Sequence, residues 1–492
     1  MAKNVDVNGK PYSRGVLIAL LLVGVFCTVL NQTILTTAFP ALMKAFDINT
    51  STVQWLTTGF LMVNGIMIPV SAFLSARFPT KWLYIVAMSI FEVGTIMAWV
   101  APSFQVLLAG RLVQAVGVGI AMPLMQTIML SIFPANNRGS AMGMAGIVIG
   151  LAPALGPTLS GWVIDNFTWR DLFGMIVPIV AVVIILSFFF MRNVIKTTNP
   201  KLDILSLLLS TAGFGSLLYG FSSVGTDGWT SVTVLSTIII GVVLILFFGY
   251  RQLHVKNPFL EIRVFKSKEF TIATILSSAV MVAMVGAEMI LPLYLQNVHG
   301  MSAFHSGLAL LPGALMMGVM SPITGNLFDR YGAKRLALTG MILLTVATIP
   351  FIFITRNTPT IYITMFYAVR LFGISMVMMP TTTAAMNSLS MDMISHGTAV
   401  NNTTRQIASS MGTAVLVSVL SNVTTNNMPA KSLLKATPFD YKIKAVDAVM
   451  NGYSAAFIIA VAFSVIGLIV AFFLSSNKNR VKVTLEAKGD TK

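Results

Sequence analysis

The sequence predicts an all-helical integral membrane protein of fourteen spans, on three observations. First, 56% of the 492 residues are hydrophobic and only 10% are charged, with a mean hydropathy of +0.84. A soluble protein carries about 25% charged residues, so this chain cannot cover a water-facing surface. Second, about 20 apolar residues cross a bilayer, and fourteen runs of that kind can be found. Third, the charges between the runs favour one side. With the N-terminus placed in the cytoplasm, 22 of the 32 Lys and Arg fall in cytoplasmic segments. Seven fall outside (Lys44, Arg170, Arg356, Lys431, Lys435, Lys442 and Lys444), and Arg111, Arg370 and Arg405 fall within spans. This is the positive-inside bias with both termini cytoplasmic, and an odd number of spans would scramble it.

The first run, 15–37, follows Lys3, Lys10 and Arg14 and continues into LNQTILTTAFP with no small-residue cleavage site. It reads as a retained span rather than a signal peptide. Runs at 52–74, 82–100 and 104–125 follow at short spacing. The fifth, 138–163, contains GIVIGLAPALGPTLSG, where glycines and prolines interrupt an apolar run. In a soluble helix each interior Gly costs about 1 kcal/mol and each Pro about 3 kcal/mol, so this stretch needs a reason. Runs at 170–190, 203–222, 232–250, 270–294, 305–327, 334–354 and 360–383 come next. The thirteenth, 397–421, is rich in small and polar residues; the fourteenth is 452–475, after a longer loop at about 422–451.

Several function classes are excluded. The net charge of +16 does not point to nucleic acid, because the basic residues lie in short loops rather than in one patch. Cys27 is the sole cysteine, so there is no internal disulfide and no thiolate metal site. His254, His299, His305 and His396 sit in loops or at span ends without metal-ligand spacing. No P-loop is present, so ATP does not drive the protein directly. With no metal, no cofactor and no catalytic constellation, an enzyme is not expected.

The chain contains an internal repeat. LLAGRLVQAVGVGIAMP (107–123) and YAVRLFGISMVMMP (367–380) each carry an arginine within a span and a later proline. SAFLSARFPTKWL (71–83) likewise echoes SPITGNLFDRYGAKRL (321–336), at a similar separation of about 250 residues. Two homologous halves with inserted material between them are the layout of many secondary transporters. The expected division is a six-helix half over 1–200, two inserted helices over 201–255, and a second six-helix half with a cytoplasmic tail over 256–492.

These stretches resemble the major facilitator superfamily, and within it the fourteen-helix drug:proton antiporters of the EmrB/QacA type. GNLFDRYGAKR (325–335) matches the superfamily's loop motif, and RLVQAVGVG (111–119) matches its fourth-helix motif. The stretch at 146–161 matches the antiporter motif of the fifth helix; WRDLF, GTDGW, NPFLEIRVF and LPLYLQNVHGMSA match lesser signatures. Two departures stand out. Asn31 and Thr36 replace the Asp and Asn usual in the first helix. The first loop copy has Ala76 and Pro79 where Asp and Gly are usual, and keeps Arg77 and Lys81 as anchoring charges. Relatives resembling the lincomycin-resistance type share such a first helix.

The resemblance implies a proton-coupled transporter that exports amphipathic drugs or other toxic small molecules by alternating access. It works without a cofactor, on the proton gradient, in a bacterial cytoplasmic (inner) membrane. Its partners are then small amphipathic substrates, protons and membrane lipid. A periplasmic adaptor, used by some relatives, has no support in the sequence. An uptake symporter on the same fold and a non-transporting scaffold or sensor are the alternatives; the antiporter motif argues against the first.

Site expectations follow. The loop residues Gly325, Asp329, Arg330, Gly332 and Arg335 form a conformational lock, with Asp329 pairing with Arg330 or Arg335. Gly146, Gly150, Pro153, Gly156 and Pro157 form a bent, closely packed hinge between the halves, with static glycine packing as the bland alternative. Ionisable residues inside spans are costly and mark function. The family's architecture places Asn31, Arg111, Gln114, Glu288 and Arg370 around a central cavity, with the flexible Met284 beside them. Since Asn31 cannot titrate, Glu288 is the candidate for proton coupling. Glu92, on a peripheral helix, is its rival.

Overall fold

The computed structural model describes residues 5–475, apart from Thr36, Asn199, 431–432 and 434–436, and apart from the side chains of Thr50, Ser51 and Ala154. Expectations attached to Lys3, Thr36, Lys431, Lys435 and the tail after 475 lie outside the described residues. Fourteen helices are long and apolar enough to cross a membrane. They comprise α1 (Arg14–Thr33), α3 (Thr50–Arg77), α4 (Thr80–Trp99), α5 (Phe104–Ile132) and α6 (Arg138–Asn166), the last two beginning and ending in short loops. A broken span follows, α7 (Asp171–Gly174) and α8 (Val177–Phe190), then α9 (Ile204–Asp227) and α10 (Val232–His254). The second half is α11 (Lys268–Asn297), α12 (Ala303–Tyr331), α13 (Ala333–Thr348), α14 (Thr360–Asn387), α15 (Ile394–Asn427) and α16 (Pro438–Phe472).

The loops supply the helix starts. Side-chain oxygens of Ser13, Asn49, Ser103, Asp203, Ser267 and Ser302 accept hydrogen bonds from backbone N–H groups of the first turns. Such caps satisfy donors that a helix cannot satisfy itself. Asp203 also takes two bonds from Arg251, at 2.8 and 3.0 Å. That pairing pulls its carboxyl down to about 2, so it remains charged and ties α9 to the end of α10 at any physiological pH.

Three elements differ from expectation. A short helix, α2 (Phe39–Phe46), occupies the first connection. The sixth span breaks after Gly174, whose position against the Trp99 indole leaves little room for a side chain. The last span begins at Pro438, well before the apolar run at 452. Its first turns, PFDYKIKAVDAVM, are too charged to register as a span, and Arg356 pairs with Asp447 there at 2.6 Å. The longer loop expected at about 422–451 is therefore largely helix.

All the loops from 78–79, 133–137, 191–203, 255–267, 332 and 388–393 meet at one end of the bundle, termed here the basic end. Lys81, for example, donates to Phe188 O at 2.5 Å, and Arg77 to Pro200 O at 2.7 Å. Of the anchoring charges of the first loop copy, Arg77 therefore holds the linker to the inserted helices and Lys81 the end of α8. The inserted pair is peripheral: α10 is the least enclosed span and α5 the most. Backbones of α9 and α10 meet at Gly241 and Leu217. The pair leans on α3, where Trp55 stacks on Tyr219, and on α15, where Gly225 lies by Val417.

Candidate functional site

The most extensive seam between the halves is α6 against α12, and glycines make it. A Cβ at Gly143 would lie 2.6 Å from Ser321 O and 2.9 Å from Pro322 Cα; one at Gly150 would lie 2.7 Å from Met317 Cγ. Gly139, Gly146 and Gly161 face Phe328, Ser321 and Phe304 in the same way, and Gly325 faces the Gly139 backbone. Positions 139, 143, 146 and 150 recur every three or four residues and so share one helix face. The small-residue stripe lets two backbones approach where no side chain fits between them. Pro153 and Pro157 are accommodated without ending α6, which runs as one helix through both.

Gly156 is not part of this seam. It meets Thr33 of α1, within its own half. Six residues beyond Gly150, it is turned about 240° around the helix, so it faces α1 instead of α12.

At the basic end the seam is hydrogen-bonded. Both carboxylate oxygens of Asp329 accept from α6, Oδ1 from Gly139 N and Oδ2 from Ser140 N, each at 2.9 Å. This corrects the expected pairing with Arg330 or Arg335, which are both exposed. The physical reason is that the first turn of α6 has no side-chain cap of its own. Its unsatisfied N–H groups and positive dipole end draw the carboxylate across the interface, a contact worth up to about 2 kcal/mol when partly buried. Gly332 ends α12 with a φ of +79°, a conformation that favours glycine. Arg138 adds bonds to Leu130 O and Asn387 Oδ1, both 2.9 Å. Further in, Asn402 of α15 donates to Gln126 Oε1 of α5 at 2.7 Å.

Four of the ionisable residues within the spans form two clusters, one in each half. In the first, Arg111 is fully buried, bonded to Asn31 O at 3.2 Å, to Asn31 Oδ1, and to Gln114 Oε1 at 2.9 Å. It also lies over the Phe60 ring, 4.1 Å from its centroid. Gln114 passes the chain on to Thr95 of α4 at 2.8 Å. Glu92, one turn from Thr95, is buried beside Cys27 of α1, and its Oε2 has no hydrogen-bond partner among the described residues. In the second cluster, Arg370 is fully buried and donates to Thr348 Oγ1 at 3.1 Å and to Ala283 O. Glu288 and Tyr367 lie close enough to act on its charge. Glu288 is half-buried.

Asn31, Arg111, Gln114 and Arg370 are thus enclosed inside their own halves instead of ringing an open cavity. Backbone and side-chain oxygens take part of each guanidinium, and Arg111 Nη2 and Arg370 Nη1 have no partner among the described residues. Met284 is buried too, in the packing of α11. Among the expected cavity residues, Glu288 keeps partial exposure.

The Major Facilitator Superfamily profile matches residues 21–413. The chain belongs to the major facilitator superfamily. It is 47% identical over 471 residues to the MFS-type transporter YcnB of Bacillus subtilis (strain 168), covering 96% of this chain and 97% of that protein. It is 41% identical over 470 residues to lincomycin resistance protein LmrB of the same organism, covering 95% and 96%. Among solved structures, the human organic anion transporter MFSD10 superposes with a TM-score of 0.66 at 13% identity, covering 93% of this chain and 99% of that one, a likeness of fold alone.

As a member of this superfamily the chain is a multi-pass transporter and not an enzyme. Sequence reasoning missed several residues that this facilitator uses to join its halves. Gly139 and Gly143 continue the glycine stripe towards the basic end and were visible as G-x-x-x-G spacing. Arg138, Asn387, Gln126 and Asn402 carried no signal, because their partners are more than 200 residues away.

Proposed function

We propose that this facilitator is a proton-coupled exporter of amphipathic small molecules, working by alternating access without a cofactor. The observation that carries the reading is Glu288. It is a half-buried carboxyl deep in a span, beside Arg370, on a helix packed against α14, α15 and α16. A titratable group so placed can exchange a proton for a substrate when the surroundings change. The hydrogen bonds between the halves gather at the basic end, which on the positive-inside bias is the cytoplasmic end. In this conformation the interior is therefore closed to the cytoplasm, and Asp329 is part of the closure. The relatives named for lincomycin resistance support export over uptake.

The direct test is efflux from a host lacking its own efflux pumps, across a chemically varied panel, with and without a protonophore. Protonophore-sensitive efflux of at least one amphipathic class is expected. Accumulation driven inwards would turn the reading to an uptake symporter.

Orientation in the inner membrane is checked separately. The single native cysteine, Cys27, is buried, so it gives little background. A cysteine at Thr226 or Lys442, both at the end opposite the basic one, should react with an impermeant thiol reagent on whole cells. Labelling only after lysis would reverse the assignment of sides.

A further inference from the structure

Arg405 lies roughly 16 Å along α15 from its start at Ile394, at 1.5 Å per residue. It is 3% exposed. Its Nε and Nη1 are buried with no hydrogen-bond partner among the described residues. Its Nη2 meets the sulfur of Met281 on α11 at 3.8 Å, and a thioether is a weak acceptor. Arg111 and Arg370 each leave one nitrogen without a partner but reach carbonyl or side-chain oxygens with the others, whereas Arg405 reaches no oxygen among the described residues. An unpaired buried cation costs several kcal/mol, and arginine does not escape by losing its proton. A methionine or leucine would fill the same volume without that cost.

The position gives the cation a use. One turn before it, Asn402 bonds to Gln126 across the halves. Next to it, Gln406 packs over Gly65 of α3, where an added Cβ would lie 3.3 Å from Gln406 Cγ. Arg405 therefore lies beside the seam between the halves, its guanidinium against α11 of its own half. Met281 shares a face of α11 with Glu288, two turns further along. The charge balance of the interior points the same way. Deep in the spans, three arginines (Arg111, Arg370 and Arg405) are balanced by two carboxyls (Glu92 and Glu288), with Asn31 neutral against Arg111. A cationic solute entering such an interior meets net repulsion, and an anionic one is drawn in.

We propose that Arg405 receives the anionic group of the cargo, a carboxylate, sulfonate or phosphate, and that the cargo is an amphipathic organic anion. The word cargo rests on the exporter reading above; the binding site itself does not.

The test is equilibrium binding to the purified full-length protein in nanodiscs, with no gradient. Anilinonaphthalenesulfonate serves as the anionic probe, tetraphenylphosphonium as the cationic one, and empty nanodiscs as the blank. The anion should bind saturably and about tenfold or more tighter than the cation. Arg405→Gln should weaken anion binding by a similar factor and leave the cation unchanged, with Arg405→Lys intermediate. Met281→Glu gives the guanidinium a resident carboxylate, so it should raise the melting temperature and abolish anion binding. If Arg405→Gln fails to fold, Met281→Glu decides. Tighter binding of the cation by the unmodified protein, or anion binding unchanged in Met281→Glu, would overturn the proposal. Anion binding that depends on Arg405 without any proton-driven efflux would count against the exporter reading alone.

Discussion

Glu288→Gln should reduce proton-driven efflux to the level of a transport-dead control, while substrate binding stays measurable and loses its pH dependence. The substitution keeps the shape of the side chain and removes the titration. Few other groups in the interior can take over. Asn31 stands where the resembled family carries a carboxylate, and it is committed to Arg111 through both its backbone and side-chain oxygens. Asp329 is held by two backbone N–H groups at the basic end. Glu92 is buried between α1 and α4 beside Cys27, away from the seam between the halves. Glu92→Gln should therefore lower efflux only in part, through its nearness to the Thr95–Gln114–Arg111 chain. The measurement is proton release into a pH-sensitive dye on addition of substrate to proteoliposomes. If Glu288→Gln still pumps against a gradient with unchanged proton release, coupling belongs to another group, and Glu92 is the next to test.

What the sequence revealed, and what it hid, divides along a physical line. Spans were readable because hydropathy is a local property, summed over about 20 residues. The charged opening turns of α16 escaped for the same reason: Lys442, Lys444 and Asp447 spoil the average while leaving the helix intact. The glycine stripe was visible as spacing along α6, but its partner was not. Gly143 and Ser321 are far apart in the chain, and a stripe of small residues says only that some backbone comes close. The same limit set the error on Asp329. Sequence proximity suggested Arg330 or Arg335, whereas the stronger attraction was an uncapped helix start in the other half. Arg405 was visible as an arginine in a span, but its lack of an acceptor is a property of the packed bundle.

Gly143→Leu should hold the protein open at the basic end and stop turnover without lowering its level in the membrane. The obstacle at this position is backbone, since an added Cβ would lie 2.6 Å from Ser321 O and 2.9 Å from Pro322 Cα. A side chain could swing aside, but these atoms move only if α6 and α12 separate. Overpacking of this kind costs typically about 1–3 kcal/mol, and a cost of about 3 kcal/mol borne by one conformation alone shifts its population roughly a hundredfold. Only the closed basic end bears it, because separating the helices relieves the clash. The effect should exceed that of Asp329→Asn, which weakens a contact worth up to about 2 kcal/mol and should slow transport without trapping it. The reporter is a cysteine at Asn402, whose bond to Gln126 ties α15 to α5 in the closed form. Its reaction with maleimide should rise in Gly143→Leu. Gly156→Leu is the matched control: its side chain meets Thr33 of α1 inside one half, so Asn402 labelling should stay at the level of the unmodified protein. Should Gly143→Leu instead reduce the folded protein and leave Asn402 unreactive, the stripe is static packing, and the seam that opens during transport must lie elsewhere.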